Sequence, residues 1–121
     1  MLTINYKLLN FNDGDRLLDV GCGEGRHVIH ACLEHNILGV GVDLSLRDLT
    51  TAIERFAPFA MYNSKSQFNL QQSDATKLPF ADNSFDKIIC SEVLEHIENY
   101  AGVLQEIKRV LKPNGILAIS V

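Results

Sequence analysis

The residues best suited to chemistry open a short run, Asp19-Val20-Gly21-Cys22-Gly23-Glu24-Gly25. Three glycines at alternate positions follow an acidic residue and an apolar stretch. Bare backbone of that kind lets a chain turn sharply and lets a ligand lie against the main chain without meeting a Cβ. Asp43 follows Gly21 by 22 positions. That is about the distance at which an acidic residue on a second strand meets the two hydroxyls of a ribose. A carboxylate accepting two hydroxyl protons forms charge-assisted bonds. The loop does not suit a dinucleotide. The spacing is G-x-G-x-G, with Arg26 where the dinucleotide fingerprint has its third glycine. Asp19 and Glu24 would also repel a pyrophosphate, whereas both would favour a ligand carrying a cation. Further along, Asp74, Ser91, Glu92 and His96 stand just after apolar runs. Glu92 and His96 are spaced i, i+4, so one helix face would present both as candidate general bases.

These residues need elements to hold them. Apolar runs predict strands at residues 16–20, 38–42, 67–72, 85–90 and 116–121. Amphipathic stretches between them predict helices over residues 26–35, 46–56, 92–97 and 100–111. The first would bury Val28, Ile29, Cys32 and Leu33. Ser45 is the expected N-cap of the second, whose Leu46, Leu49, Ile53 and Phe56 recur at helical spacing. The last would bury Val103, Leu104, Ile107, Val110 and Leu111. Residues 57–66 read as a loop or a frayed helix end, and Lys112-Pro113-Asn114-Gly115 as a turn. Strands alternating with helices imply an α/β, doubly wound, mostly parallel sheet. The strand-end residues Asp19, Asp43, Asp74 and Ser91 would then share one rim.

Composition narrows the function classes. The 121 residues fit a single domain, 1–121. A net charge of −4 argues against a nucleic-acid grip or a polybasic membrane surface. No apolar stretch approaches the roughly 20 residues that span a bilayer, and no signal peptide is legible. Cys22, Cys32 and Cys90 do not form a disulfide framework, which fits a reducing, cytoplasmic compartment. Cys22 also reads as a small packing residue. His27, His30, Cys32 and His35 lack metal-ligand spacing, so no metal is expected. Lys108, Arg109 and Lys112 read as a cluster complementing a helix C-terminus. Asp86 reads as a turn residue at a strand start. The chain stops on its fifth strand, leaving that strand's outer edge without a partner. The expectation is a chain cut short, with more sequence beyond Val121. The uncovered edge could pair with another copy of the chain.

Five segments in order resemble the class I S-adenosylmethionine-dependent methyltransferases, in their small-molecule branch. They are residues 18–25, 42–45, 74–80, 85–97 and 111–117. The resemblance implies a Rossmann-like sheet with strand order 3-2-1-4-5, here without the family's sixth and seventh strands. It implies S-adenosylmethionine as cofactor and a small-molecule methyl acceptor. Gly21 and Gly23, with Cys22 between them, would floor the methionine part, and Asp19 would orient its ammonium group, directly or through water. Asp43 would hold the ribose hydroxyls and Leu44 would pack on the adenine. Asp74 would accept from the adenine amino group, Ala75 would offer a backbone N–H to the ring, and Ser91 would present backbone to the methionine and border the acceptor site. The alternative implied by the short chain is a non-catalytic module that binds S-adenosylmethionine or S-adenosylhomocysteine and lacks an acceptor site.

Overall fold

The computed structural model describes residues 4–120, so the expected final strand residue, Val121, lies outside the described residues. Five parallel strands form one sheet in the order β3-β2-β1-β4-β5. They are β1 (Arg16–Val20), β2 (Leu38–Asp43), β3 (Gln67–Gln72), β4 (Phe85–Ser91) and β5 (Leu111–Ser120). Helices α1 (Arg26–Glu34) and α2 (Leu46–Phe56) cover one face, and α3 (Tyr100–Val110) covers the other.

Period-two alternation of side chains sorts the central strands between two cores. Leu18 and Val20 of β1, with Ile88 and Cys90 of β4, pack beneath Val103, Ile107 and Val110 of α3. Leu17 and Ile89 join Val28, Ala31 and Cys32 of α1 and Leu49 of α2 on the opposite side. Ser45 caps α2, its hydroxyl accepting from the Asp48 amide at 3.1 Å. The buried stripe of α2 is narrower than its sequence pattern, since Leu49 and Ala52 are buried while Leu46 and Ile53 are exposed.

Three stretches depart from expectation. Residues 92–97 form no α-helix. Glu92 adopts φ 56°, which no helix tolerates, and only a 3-10 turn at Leu94–His96 follows. Residues 112–115 lie within β5, which begins at Leu111 by pairing with Phe85 and resumes at Ile116 opposite Lys87, with the extra residues bulging around Asn114 at φ 70°. Residues 57–66 make a 3-10 turn, Ala57–Phe59, and further turns. There the Asn63 amide donates to the Cys32 and His35 carbonyls, serving the open end of α1 from outside.

Ahead of β1, a 3-10 turn at Tyr6–Leu9 buries Leu9 against the α1 side of the sheet. At the opposite rim from the strand ends, Asp86 accepts from the Arg16 amide at 2.8 Å and from Lys112 at 3.1 Å. Buried Lys87 pairs with buried Asp15 at 3.4 Å. These contacts staple the lower ends of β1, β4 and β5. Among the described residues, nothing pairs with the outer edge of β5, and no helix is long and apolar enough to cross a membrane.

Candidate functional site

At the carboxyl ends of the strands a cavity of about 170 Å³ opens on the α3 side of the sheet. Gly21, Val42, Asp43 and Leu44 form one wall. Ser73, Asp74, Ala75 and Thr76 form a second, and Val93, Ile97 and Val103 close the third. Small-molecule sites run from roughly 300 Å³ upward. A cavity of this size has room for only part of a typical small-molecule ligand.

Asp43 joins the loop to the cavity. Its Oδ2 accepts from the Gly23 amide and its Oδ1 from the Ser45 amide, both at 2.8 Å. Each carboxylate oxygen can accept a second proton, so Asp43 can still take a vicinal diol. Beside it, the Leu44 side chain is 67 % exposed, an uncovered apolar surface at the mouth of the cavity. Across from it, Asp74 Oδ1 accepts from the Thr76 amide at 2.9 Å and the Thr76 hydroxyl at 2.7 Å. Those bonds hold its carboxyl below the usual range.

The glycines in the loop serve different ends. A Cβ on Gly21 would stand 2.4 Å from Val93 Cγ2, so its bare face admits the Val93 side chain that closes the cavity. A Cβ on Gly23 would meet nothing within 4 Å. That stretch of main chain is open for a ligand to lie on.

Behind the loop lies Asp19, 2 % exposed and on the α1 side of the sheet. Burial pushes its carboxyl up to about 7; the hydrogen bond accepted from the Val28 amide opposes this, the charge of Asp43 adds to it and Arg26 offsets it. Asp19 Oδ2 has no hydrogen-bond partner. An orphaned buried oxygen of this kind is expensive unless a donor completes it. Next to it, the Tyr6 hydroxyl bonds His27 Nδ1. His27 is 5 % exposed, burial pushes its pKa down to about 4, and its Nε2 has no partner.

The structure thus brings Gly21, Asp43, Leu44, Asp74 and Ala75 together around the cavity. It places the other six sequence candidates off those walls. Gly23 contributes its amide to Asp43. Asp19 sits behind the loop. The Cys22 thiol turns into the core under Gly41, whose Cβ position would lie 2.8 Å from Sγ. The Ser91 hydroxyl shares a 2.8 Å hydrogen bond with Ser120. Glu92 and His96 do not share a helix face, because that helix is absent. Glu92 pairs with Arg26 at 3.6 Å, and His96, largely exposed, lies 3.4 Å from Glu95. Their neighbours Val93 and Ile97 line the cavity in their place. Sequence reasoning did not single out Val93, Ile97, Thr76 or Tyr6. The i, i+4 spacing of Val93 and Ile97 was the available signal. Among the described residues, no three His, Cys, Asp or Glu side chains converge as a metal site would require.

Residues 18–119 match the family model described as a methyltransferase domain. The chain belongs to that methyltransferase domain family. Among relatives, the domain is 34 % identical over 112 residues to a 27-O-demethylrifamycin SV methyltransferase of Amycolatopsis mediterranei, covering 93 % of this chain and 40 % of the relative. It is 29 % identical to a phosphoethanolamine N-methyltransferase of Triticum aestivum, covering 93 % of this chain and 21 % of that protein. Its fold superposes with a TM-score of 0.82 on the crystal structure of the [4+2]-cyclase SpnF, at 31 % identity, over 93 % of this chain and 40 % of that one. It superposes at 0.80 on a phosphoethanolamine N-methyltransferase 2 of Haemonchus contortus in complex with S-adenosyl-L-methionine, at 30 % identity, over 94 % of this chain and 26 % of that one. This methyltransferase domain spans well under half the length of these relatives.

Proposed function

We propose that the chain is the cofactor-binding part of an S-adenosylmethionine-dependent methyltransferase acting on a small-molecule acceptor. The observation that carries this reading is Asp43, a carboxylate at the end of β2 that faces the cavity beside uncovered Leu44. Diol acceptor, apolar wall and the Asp74–Thr76 turn together fit the nucleoside end of that cofactor. The open main chain at Gly23 and the orphaned Asp19 Oδ2 fit its cationic amino-acid end.

When bound, S-adenosylmethionine supplies a methyl group on a sulfonium sulfur, and the sulfur leaves as a neutral thioether. The residues of this chain hold and orient. Asp43 accepts the ribose hydroxyls, Leu44 and Ala75 flank the base, and Asp74 accepts from an exocyclic amine. Asp19 accepts from the ammonium group, Gly21 and Gly23 give the ligand its floor, and Ser91 at the end of β4 borders the acceptor side. Alignment of acceptor, methyl and sulfur carries much of the rate in such a displacement. Glu92 and His96 are the base candidates of this chain should the acceptor need to lose a proton. Free, buried cysteines support a reducing, cytoplasmic setting. The acidic net charge supports a small-molecule rather than a nucleic-acid acceptor. Among the described residues the outer edge of β5 has no partner strand, and it is the surface through which copies would associate.

Isothermal titration with S-adenosylmethionine and S-adenosylhomocysteine tests this directly. The chain should bind both, and Asp43→Ala should lose at least about tenfold in affinity, the scale of one charge-assisted hydrogen bond. Unchanged affinity in the variant removes Asp43 from the ribose role. A second reading, a module that binds the cofactor without transferring methyl, draws support from Glu92 and His96 both standing off the cavity walls. Methyl transfer by this chain alone would eliminate it.

A further inference from the structure

The cavity wall at residues 73–76 belongs to the connection between β3 and β4, which has no helix or strand of its own. Connections of about a dozen irregular residues are uncommon in compact domains and tend to serve a site. Their backbone groups still need partners. Here the partners come from one turn of α3. Glu106 Oε1 accepts from the Leu78 amide at 2.9 Å. Arg109 Nη2 donates to the Leu78 carbonyl at 3.0 Å, and Nη1 donates to the Phe80 carbonyl at 2.7 Å and to Asp82 Oδ1 at 2.9 Å. Arg109 is itself held by Glu106, with Nε to Oε2 at 2.7 Å and Nη2 to Oε1 at 3.1 Å. A planar guanidinium can serve several acceptors from one fixed fork, which an ammonium cannot. The side chain read from sequence as a helix-end charge thus grips the loop.

We propose that Arg109, held by Glu106, is a positioning residue for ligand binding: it locks the loop whose residues Ser73–Thr76 wall the cavity, and so sets how tightly the nucleoside end is held. The inference rests on the function proposed above. Two further observations place the lock close to the wall. Asp74 and Thr76 already form a closed turn, with the Lys77 amide also donating to the Asp74 carbonyl at 3.0 Å. The lock begins at Leu78, the next residue. The same helix carries Val103 into the cavity two turns earlier. Helix, loop and cavity wall therefore move as one body while the fork is engaged.

The test compares Arg109→Lys with the wild-type chain by amide hydrogen exchange and by titration with S-adenosylhomocysteine. Lysine keeps the charge but cannot span Leu78, Phe80 and Asp82 together. Exchange should quicken by about tenfold within residues 74–83 and stay unchanged in β1 and β4, and affinity should fall roughly 3- to 30-fold. Glu106→Gln, which frees the fork while leaving an acceptor for Leu78, should shift both readouts in the same direction by less. Unchanged exchange in the loop, or a rise shared by the whole chain, overturns the proposal. So does a loosened loop with undiminished affinity. If the wild-type chain binds no S-adenosylhomocysteine, the reading of the site fails on its own, and the exchange measurement still decides whether the lock exists.

Discussion

Asp19→Asn should make the ligand-free protein more stable at pH 8 and not at pH 5. The Asp19 carboxyl is buried, one of its oxygens has no partner, and burial moves it from 3.8 to about 7. Between those values the folded state holds a proton that the unfolded chain has released, so stability falls as pH rises. The contribution is full below 3.8 and lost once pH passes about 7. At about 1.36 kcal/mol per pH unit, the whole interval amounts to roughly 4 kcal/mol. Asparagine does not recover all of it, because it leaves a polar head in the same dry place and weakens the bond from the Val28 amide. A gain of about 1–3 kcal/mol at pH 8 is expected, vanishing or reversing at pH 5. Urea unfolding of both proteins at the two pH values measures it. His27 works in the opposite sense, with a folded pKa near 4 against 6.5. The wild-type profile alone is therefore flattened, and the difference between variant and wild type carries the information. An equal difference at pH 5 and pH 8 would refute the claim that an ionised, dry Asp19 burdens the fold.

The remaining predictions are briefer. His27→Phe removes a group that must stay neutral, so its stability relative to wild type should improve as pH falls from 6.5 towards 4, in acid-unfolding curves; a parallel pair of curves contradicts the burial argument. Gly21→Ala and Gly23→Ala both place a Cβ on left-handed backbone, at about 1–2 kcal/mol each. Only Gly21→Ala also collides with Val93, adding about 1–3 kcal/mol. Equal unfolding midpoints for the two variants would show that Val93 does not occupy that face.

Much of the fold was legible because the central apolar runs meet glycine or aspartate, as β1 does at Gly21 and β2 at Asp43. The bounds of β1, β3 and α2 in the structure match those read from the residues. Asp43 was legible for the same reason, being both the end of a strand and the acidic residue at ribose distance. What the sequence hid was of three kinds. Glu92 occupies left-handed backbone without being glycine, so a helical pattern from Glu92 to His96 misled, and the apolar residues at the same spacing took the cavity. The Tyr6–Leu9 turn is too short to show a period, so the contact of Tyr6 with His27 left no trace in the residue order. Arg109 and Asn63 act on backbone 28 to 31 positions away, and the reach of a long side chain across a fold is not written in its neighbours.

Asp19 takes its amide bond from α1, whereas the cavity opens beneath α3, on the other side of the sheet. A molecule touching both must fold over the crest of the sheet at Gly21–Gly23, like a saddle thrown across a ridge. On the proposed reading, shape would screen ligands before any single contact did: a flexible molecule with a hinge near its middle could straddle that crest, and a stiff, straight one of equal polarity could not.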